Sequence, residues 1–242
     1  MKIQHSPYLF LLLFFFLLTG CHSEPPTGSA TSKPVPLTDT SNQQTAADEE
    51  KAASLEKLLK QYNPPGRDAW QKPEKVIGKM GDLSDKVVAD LGAGSGEFSF
   101  RLAQEAKKVI ALEIDERFIQ LMDSLKLIQL KPEFQHRLET RKVTPTDSKL
   151  KPGEADIILI VNTYIYIKDR INYLKHLLEV MPEGGQIIIV DFKKKRIPIK
   201  FPRQETRLEL YKVENELYRA GFKNIVSDDS SLNYQYIVSA EK

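Results

Sequence analysis

The chain has 242 residues and a formal net charge of +2, with 28% charged and 41% hydrophobic residues. This length suits one ordinary domain with an appendage, and the composition is that of a globular protein with a sizeable core. The small charge excludes bulk electrostatic attraction to nucleic acid, so we expect no nucleic-acid partner. One cysteine excludes an intrachain disulfide, and the histidines have no neighbours of metal-ligand type, so we expect no metal site.

The first twenty residues predict an export signal. Lys2 and His5 form a short polar start, and residues 8–18 are an uninterrupted apolar run. A run of this length is too short to span a bilayer, which needs ~20 residues, but it suits a signal peptide. Residues 18–21, Leu-Thr-Gly-Cys, resemble the bacterial lipobox, whose cysteine is lipidated.

We therefore expect residues 1–20 to be a lipoprotein signal peptide. Cys21 would carry acyl chains that anchor an exported protein to a membrane, on the periplasmic or outer cell-surface side. An uncleaved anchor helix and a wrongly assigned start codon are the alternatives. Residues 21–47 are mostly small and polar, cannot bury enough surface to offset chain entropy, and predict a disordered tether.

Residues 48–66 predict a helix followed by a linker. Leu55, Leu58, Leu59 and Tyr62 share one face at helical spacing, and Asn-Pro-Pro-Gly at 63–66 ends the pattern. The sequence leaves two interpretations open: a helix that packs on the domain, or a lid over a ligand.

From residue 67 onward, strand and helix patterns alternate, which is typical of a parallel sheet covered on both faces. Strands are predicted at 87–91, 109–113, 137–143, 156–161, 186–191, 222–227 and 234–240, and helices at 97–107, 116–126, 169–180 and about 203–220. The short polar link between the last two strands makes them antiparallel. The predicted fold class is α/β: a Rossmann-like three-layer sandwich with a mostly parallel seven-stranded sheet ending in an antiparallel C-terminal hairpin.

The most informative stretch is 88–98, where a buried strand leads through a glycine-rich turn into a helix. Gly92, Gly94 and Gly96 form the turn, and Glu113 ends the next strand. In such an arrangement the turn amides bind an anionic group and the acid binds a ribose diol, so a nucleoside site is predicted.

Two acids favour S-adenosylmethionine over a dinucleotide. Asp90 would repel a pyrophosphate but attract the ammonium and sulfonium groups of S-adenosylmethionine. Glu97 occupies a position where a dinucleotide fold needs glycine or alanine. The carboxylate of the ligand would use the helix N-terminus. A dinucleotide oxidoreductase and a tight turn in an unrelated α/β protein are the alternatives.

Together these motifs resemble the class I S-adenosylmethionine-dependent methyltransferases over residues 67–242. The resemblance also covers the fourth strand, which ends at Asn162, and the Pro-Glu-Gly-Gly turn at 182–185 before the fifth strand. Residues 67–73 and 191–194 resemble a bacterial subgroup with a generic methyltransferase domain and no substrate to carry over. The resemblance implies S-adenosylmethionine as cofactor and, as its binding residues, Asp90, Gly92, Ala93, Gly94, Gly96, Glu113, Ile114, Thr144 and Asn162.

The catalytic residues are less evident. Where the subgroup often has two histidines, this chain has Ile165 and Tyr166, so the obvious general base is missing. Asn162, Tyr164 and Tyr166 are the candidates, with packing as the alternative for both tyrosines. Trp70 either covers the cofactor or anchors the N-terminal segment. A basic loop is either solvated or an anionic acceptor site; it contains Lys193, Lys194, Lys195, Arg196, Lys200, Arg203 and Arg207.

The expected function is methyl transfer from S-adenosylmethionine to a small or lipid-associated acceptor, by a protein tethered to a membrane through its N-terminal lipid. The alternative is an exported module that binds S-adenosylmethionine or S-adenosylhomocysteine without turnover. The sequence leaves the acceptor and the oligomeric state open.

Overall fold

The computed structural model describes residues 66–242 and, ahead of them, residues 53–54, 56–57, 59–60 and 63. The expected signal peptide, Cys21 and the tether lie outside the described residues. Of the expected N-terminal helix, residues 53–54, 56–57 and 59–60 are helical. Ser54 Oγ accepts a hydrogen bond from Arg117 Nη1 at 2.6 Å, which joins this segment to the body of the domain.

Seven strands form one sheet in the order β3-β2-β1-β4-β5-β7-β6. Strands β1 to β5 are parallel, and β7 runs antiparallel between β5 and β6. The predicted fold class is confirmed. The strands are β1 (Val87–Leu91), β2 (Lys108–Glu113), β3 (Leu138–Lys142), β4 (Ile157–Val161), β5 (Gln186–Phe192), β6 (Lys223–Asp228) and β7 (Gln235–Glu241).

Helices cover both faces of this sheet. They are α1 (Arg67–Gln71), α2 (Pro73–Ile77), α3 (Glu97–Glu105), α4 (Glu116–Gln129), α5 (Pro132–Gln135), α6 (Arg170–Val180) and α7 (Leu210–Ala220). Short 3-10 turns occur at Gly78–Met80, Tyr164–Tyr166 and Gln204–Thr206.

The helix expected from about residue 203 begins instead at Leu210. Arg207 and Glu209 have extended backbone conformations, because the Arg207 side chain is bound to carbonyl oxygens of the loop before it. The loop of residues 193–209 therefore replaces the first turns of the expected helix.

Strand β4 explains why an uninterrupted apolar run forms a strand here. All five of its residues are buried. Ile158 and Ile160 pack in the core that also contains α6 and α7 side chains. Ile157 and Leu159 pack in the opposite core, with α2 and α3. Burial of each such aliphatic side chain contributes roughly 1.5–3 kcal/mol to the free energy of unfolding, so β4 is a major stabilising element at the centre of the sheet.

The order of the strands also locates a ligand site. Strand β1 lies between β2 and β4. Strands β2 and β3 follow on one side of β1, and β4 and β5 follow on the other, so the strand order switches sides at β1. In open α/β sheets, ligands bind beyond the carboxyl ends of the strands at such a point. Within the part of the chain that the structure describes, no helix combines the length and apolar character needed to cross a bilayer.

Candidate active site

A cavity of about 450 Å³ lies beyond the carboxyl ends of the parallel strands. Its wall is built from the segments that leave β1, β2, β3, β4 and β5, together with α1 and the loop of residues 193–209. Seven of the nine predicted cofactor residues belong to this wall: Gly92, Ala93, Gly94, Glu113, Ile114, Thr144 and Asn162.

The glycine turn owes its shape to close packing. Gly92 and Gly94 have φ angles of 81° and 56°. A Cβ on Gly92 would lie 2.2 Å from Thr163 Oγ1, so the turn closes tightly on the segment after β4. A Cβ on Gly94 would meet nothing within 4 Å. Since Gly94 also lines the cavity, its bare backbone is open to a ligand.

The turn amides, however, are bonded inside the protein. The N–H groups of Gly92 and Ala93 both donate to Leu112 O, at 2.8 and 3.1 Å. The Gly94 N–H donates to Glu113 Oε2 at 2.8 Å, and the Gly96 N–H donates to Ala93 O. In the structure these four amides are therefore engaged within the protein, and the binding of an anionic group by the turn stays a prediction.

Glu113 is buried at the end of β2 and joins the turn to the next segment. Its Oε1 accepts hydrogen bonds from the N–H groups of Ile114 and Asp115, at 2.8 and 3.0 Å. With Oε2 bound to Gly94, the carboxylate is held in one orientation. An ionised carboxylate has about four acceptor sites, and three are used here, so about one site on Oε2 is left for a ribose hydroxyl.

Asp90 does not belong to the cavity wall, and neither does Gly96. Asp90 is buried, and its Oδ2 accepts a hydrogen bond from the Ser99 hydroxyl at 2.6 Å. Burial raises its pKa to about 6, a shift that the Ser99 hydrogen bond and Arg67 oppose and Glu113 reinforces. The side chain of Asp90, a residue of β1, therefore contacts the N-terminal turn of α3. The carboxylate of the ligand was expected at this helix N-terminus.

The N-terminal segment contributes two residues to the wall, Arg67 and Trp70. The Trp70 ring lies 5.5 Å from that of Phe192 and 6.2 Å from that of Tyr234. Trp70 thus anchors the segment and also lines the cavity, which combines the two interpretations of the sequence. Arg67 was not among the predicted site residues, because only the packing of α1 brings it to the cavity.

The two candidate tyrosines have different surroundings. Tyr164 is fully buried, outside the cavity wall, and its hydroxyl donates to Glu216 Oε2 at 2.6 Å. Arg170 binds both oxygens of Glu216 at 2.7 Å. Burial, followed by the bond to Glu216, raises the pKa of Tyr164. The structure therefore favours the packing interpretation for Tyr164, which lies outside the cavity wall, and its catalytic role stays a prediction. Tyr166 does line the cavity and is 46% exposed.

Asn162 lies at the cavity with a left-handed backbone, φ 55°. Its Oδ1 accepts a hydrogen bond from Gln235 Nε2 at 2.5 Å. Gln235 is fully buried at the start of β7. The hairpin strand thus orients a side chain that belongs to the end of β4, a contact that no local sequence pattern indicates.

The loop of residues 193–209 covers one side of the cavity with Ile199, Phe201 and Pro202. Arg207, 2% exposed, donates to the carbonyl oxygens of Lys195, Ile199 and Pro202 at 2.7–3.1 Å. Arg207 therefore holds the loop together.

Lys193 is buried and bonded to Asp229 and Leu232, and Lys194 pairs with Glu209. Within the described wall, the one cation is Arg67. The basic loop therefore brings no cation to the cavity itself. Among the described residues, no cluster of three or more His, Cys, Asp or Glu side chains is arranged to hold a metal ion.

This sheet order, with a glycine-rich turn after β1 and an acid at the end of β2, defines a protein of the class I S-adenosylmethionine-dependent methyltransferase fold. Residues 82–238 match the family described as a methyltransferase domain, and the chain belongs to that family. The structure of an S-adenosylmethionine-dependent methyltransferase from Aquifex aeolicus has the same fold, with a TM-score of 0.66 and 23% identity, over 78% of this chain and 96% of that chain.

Two curated relatives are also methyltransferases. A demethylmenaquinone methyltransferase of Lactococcus lactis is 25% identical over 162 residues, which cover 66% of this chain and 56% of the relative. A ribosomal RNA small subunit methyltransferase A of Koribacter versatilis is 31% identical over 114 residues, which cover 47% of this chain and 33% of the relative. The chain thus spans only part of the length of these relatives.

S-adenosylmethionine is the cofactor of this class, and the residues present fit it. The open backbone at Gly94 lets a ligand approach closely, and the Glu113 carboxylate is presented to the same cavity. Ile114, 55% exposed, offers an apolar surface beside Glu113. The negative charge of Asp90 lies behind the turn and suits a cationic ligand.

Proposed function

We propose that this protein is an S-adenosylmethionine-dependent methyltransferase that acts on a small, mainly apolar and lipid-associated acceptor, and that a lipid on Cys21 tethers it to a membrane. The observation that carries the methyltransferase proposal is a single cavity with two kinds of wall. Nucleoside-binding groups lie on the β1–β2 side, and aromatic and aliphatic side chains lie on the β4–β5 side.

The β4–β5 side of the cavity supports an apolar acceptor. Its described wall residues include Tyr166, Ile167, Tyr173, Ile199 and Phe201, without a carboxylate or an imidazole. Burial, followed by the charge of Asp147, raises the pKa of Tyr173 to about 12, so this phenol stays protonated at neutral pH. The acceptor must therefore bring a nucleophile that needs no base from this wall.

When bound, S-adenosylmethionine would supply an activated methyl group on a sulfonium, with the thioether as the leaving group, for transfer to a nucleophile of the acceptor. The protein mainly aligns the two partners and excludes water, and alignment alone lowers such barriers greatly. Among the polar wall residues on the β4 side, Asn162 and Tyr166 are the candidates for orienting the acceptor. Of the acceptors that the relatives are named for, ribosomal RNA fits this apolar wall less well than a small molecule does.

Cofactor binding can be tested with the intrinsic fluorescence of Trp70, the single tryptophan of the chain, which lies in the cavity wall. We expect saturable changes with S-adenosylmethionine and S-adenosylhomocysteine at micromolar concentrations, and none with NAD. Glu113→Gln should weaken binding about tenfold or more, because hydrogen bonds to a charged group contribute about 1.5–3 kcal/mol. Glu116→Gln is the control, since Glu116 forms an exposed ion pair with Lys142 and lies outside the described cavity wall. Tight NAD binding would contradict the proposal.

Turnover is a separate measurement. Incubation with S-adenosylmethionine labelled in its methyl group and a bacterial lipid extract should transfer label into the organic phase. The Glu113→Gln protein and the protein without extract should transfer far less. Binding without transfer to any extract fraction would favour the alternative, a binding module without turnover.

A further inference from the structure

The amino-acid end of the cofactor needs a partner that the glycine turn does not provide. The N–H groups of Gly92, Ala93 and Gly94 already donate to protein oxygens. The first turn of α3 holds two acids: Asp90 accepts from Ser99 there, and Glu97 is its first residue. A carboxylate placed at this helix N-terminus would therefore lie near the negative charge of Asp90, whereas Glu97 is paired with Arg101.

Arg67 is the cationic residue of the cavity wall that can bind the carboxylate of the cofactor in place of the turn amides. It lines the same cavity as the glycine turn, and it is the one cation among the described wall residues. Burial lowers the pKa of Arg67, and the charges of Glu97, Asp90 and Asp68 oppose that shift, so these acids lie close to it. A guanidinium keeps its charge at physiological pH and matches a carboxylate with two parallel donors.

The segment that carries Arg67 is held firmly on the domain. Its Nε donates to Gln71 Oε1 within α1. Trp70 packs on Phe192 and Tyr234, and Lys72 Nζ donates to Asn233 Oδ1 at 3.0 Å. These contacts fix α1 against β5 and the segment before β7. Arg67 also precedes residues 82–238, the part of the chain that matches the family.

We propose that Arg67 binds the α-carboxylate of the methionine moiety of S-adenosylmethionine, while the negative charge of Asp90 attracts the neighbouring ammonium. The pair then complements the zwitterionic end of the cofactor. This inference rests on the proposed function, because it assumes that S-adenosylmethionine occupies the cavity.

The test compares two ligands that differ only in the carboxylate: S-adenosylmethionine and decarboxylated S-adenosylmethionine. Calorimetry on the full chain should show that the wild type prefers the carboxylated ligand about tenfold or more. In Arg67→Met this preference should fall to within about twofold, while binding of the decarboxylated ligand stays within about threefold of wild type. Arg67→Lys should keep part of the preference, since it retains the charge but loses the paired donors.

Arg137→Met is the control. Arg137 donates to Ala106 O at 3.3 Å and lies outside the cavity wall and away from α1. It should leave the preference unchanged. If Arg67→Met weakened both ligands equally, or left the preference intact, the inference would be wrong although the proposed function would stand. If the wild type bound neither ligand, the proposed function itself would fail.

Discussion

At the scale of single residues, we expect alanine substitutions at Gly92 and Gly94 to differ in their effects on stability and on cofactor binding. Gly92→Ala places a methyl group against Thr163, so it should lower the free energy of unfolding by more than about 2 kcal/mol. Gly94→Ala meets no protein atom and should cost only the backbone strain, about 1–2 kcal/mol. Its methyl group enters the cavity, however, and should weaken S-adenosylmethionine binding. Urea denaturation and calorimetry measure the two effects. Equal effects on stability would contradict this assignment.

The raised pKa of Asp90 leads us to predict that the free energy of unfolding depends on pH. Its pKa in the folded protein is raised to about 6, chiefly by burial, from an ordinary value of 3.8. The folded state therefore holds a proton that the unfolded state releases between these values, so stability falls as pH rises from about 4 to 6. A shift of this size corresponds to roughly 3 kcal/mol.

Urea denaturation from pH 4 to pH 7 measures this fall. Asp90→Asn should flatten it. Asp82→Asn should retain it, because the hydrogen bond from Ser84 lowers the pKa of that carboxyl instead. Asp191, with a pKa raised to about 7 by burial, should leave a residual fall in Asp90→Asn. An unchanged profile in Asp90→Asn would exclude Asp90 as the source.

The individual site residues differ in how far sequence predicts them. Glu113 can be placed because its position at the end of the second strand follows from strand periodicity and spacing. The sequence also predicts that Asp90 lies at the tip of β1. It does not predict the surroundings of the carboxylate, because its burial and the hydrogen bond from Ser99 depend on the packing of α3. Tyr164 and Tyr166 look alike in sequence, yet Tyr164 turns to Glu216 and Tyr166 to the cavity.

At the scale of elements, the loop of residues 193–209 depends on one side chain. Arg207 donates to carbonyl oxygens of Lys195, Ile199 and Pro202, and this loop supplies Ile199, Phe201 and Pro202 to the cavity. Arg207→Met should leave the domain folded but loosen the loop, because hydrogen bonds from a charged donor contribute about 1.5–3 kcal/mol.

Hydrogen exchange followed by mass spectrometry measures that change. Amides of residues 194–206 should exchange faster in Arg207→Met, while β4 keeps its protection. Arg203→Met, which replaces an exposed side chain of the same loop, should exchange as the wild type does. Unchanged exchange in Arg207→Met would show that other contacts hold the loop.

The strands and long helices are largely predictable, but the short helices α1, α2 and α5 are not predicted, and one long helix begins later than expected. The inner strands β1, β2, β4 and β5 follow from apolar runs that are buried in the sheet. Strands β3 and β6 are only partly buried and follow from their position between turn residues. The helix expected from residue 203 begins late because the Arg207 side chain binds backbone carbonyls of the same loop, 5 to 12 residues earlier in the chain. Tertiary hydrogen bonds outweigh a weak local preference there.

At the scale of the whole molecule, the N-terminal lipid stays a prediction from sequence. Cells fed a fatty acid with an alkyne tag should incorporate the tag into the wild-type protein but not into Cys21→Ser. Ser23→Ala, two residues further on, should incorporate it normally. Tagging of the Cys21→Ser protein would contradict lipidation at this site.

The sequence by itself determined the fold class, the position of the glycine turn and the acid after β2, because these depend on spacing along one segment. Tertiary structure alone decided that the turn amides are occupied, that Tyr164 is buried and that Arg67 reaches the cavity. Each of these outcomes depends on groups that lie far apart in the chain and meet only when helices and strands pack. Local periodicity describes neighbouring residues and does not indicate such contacts.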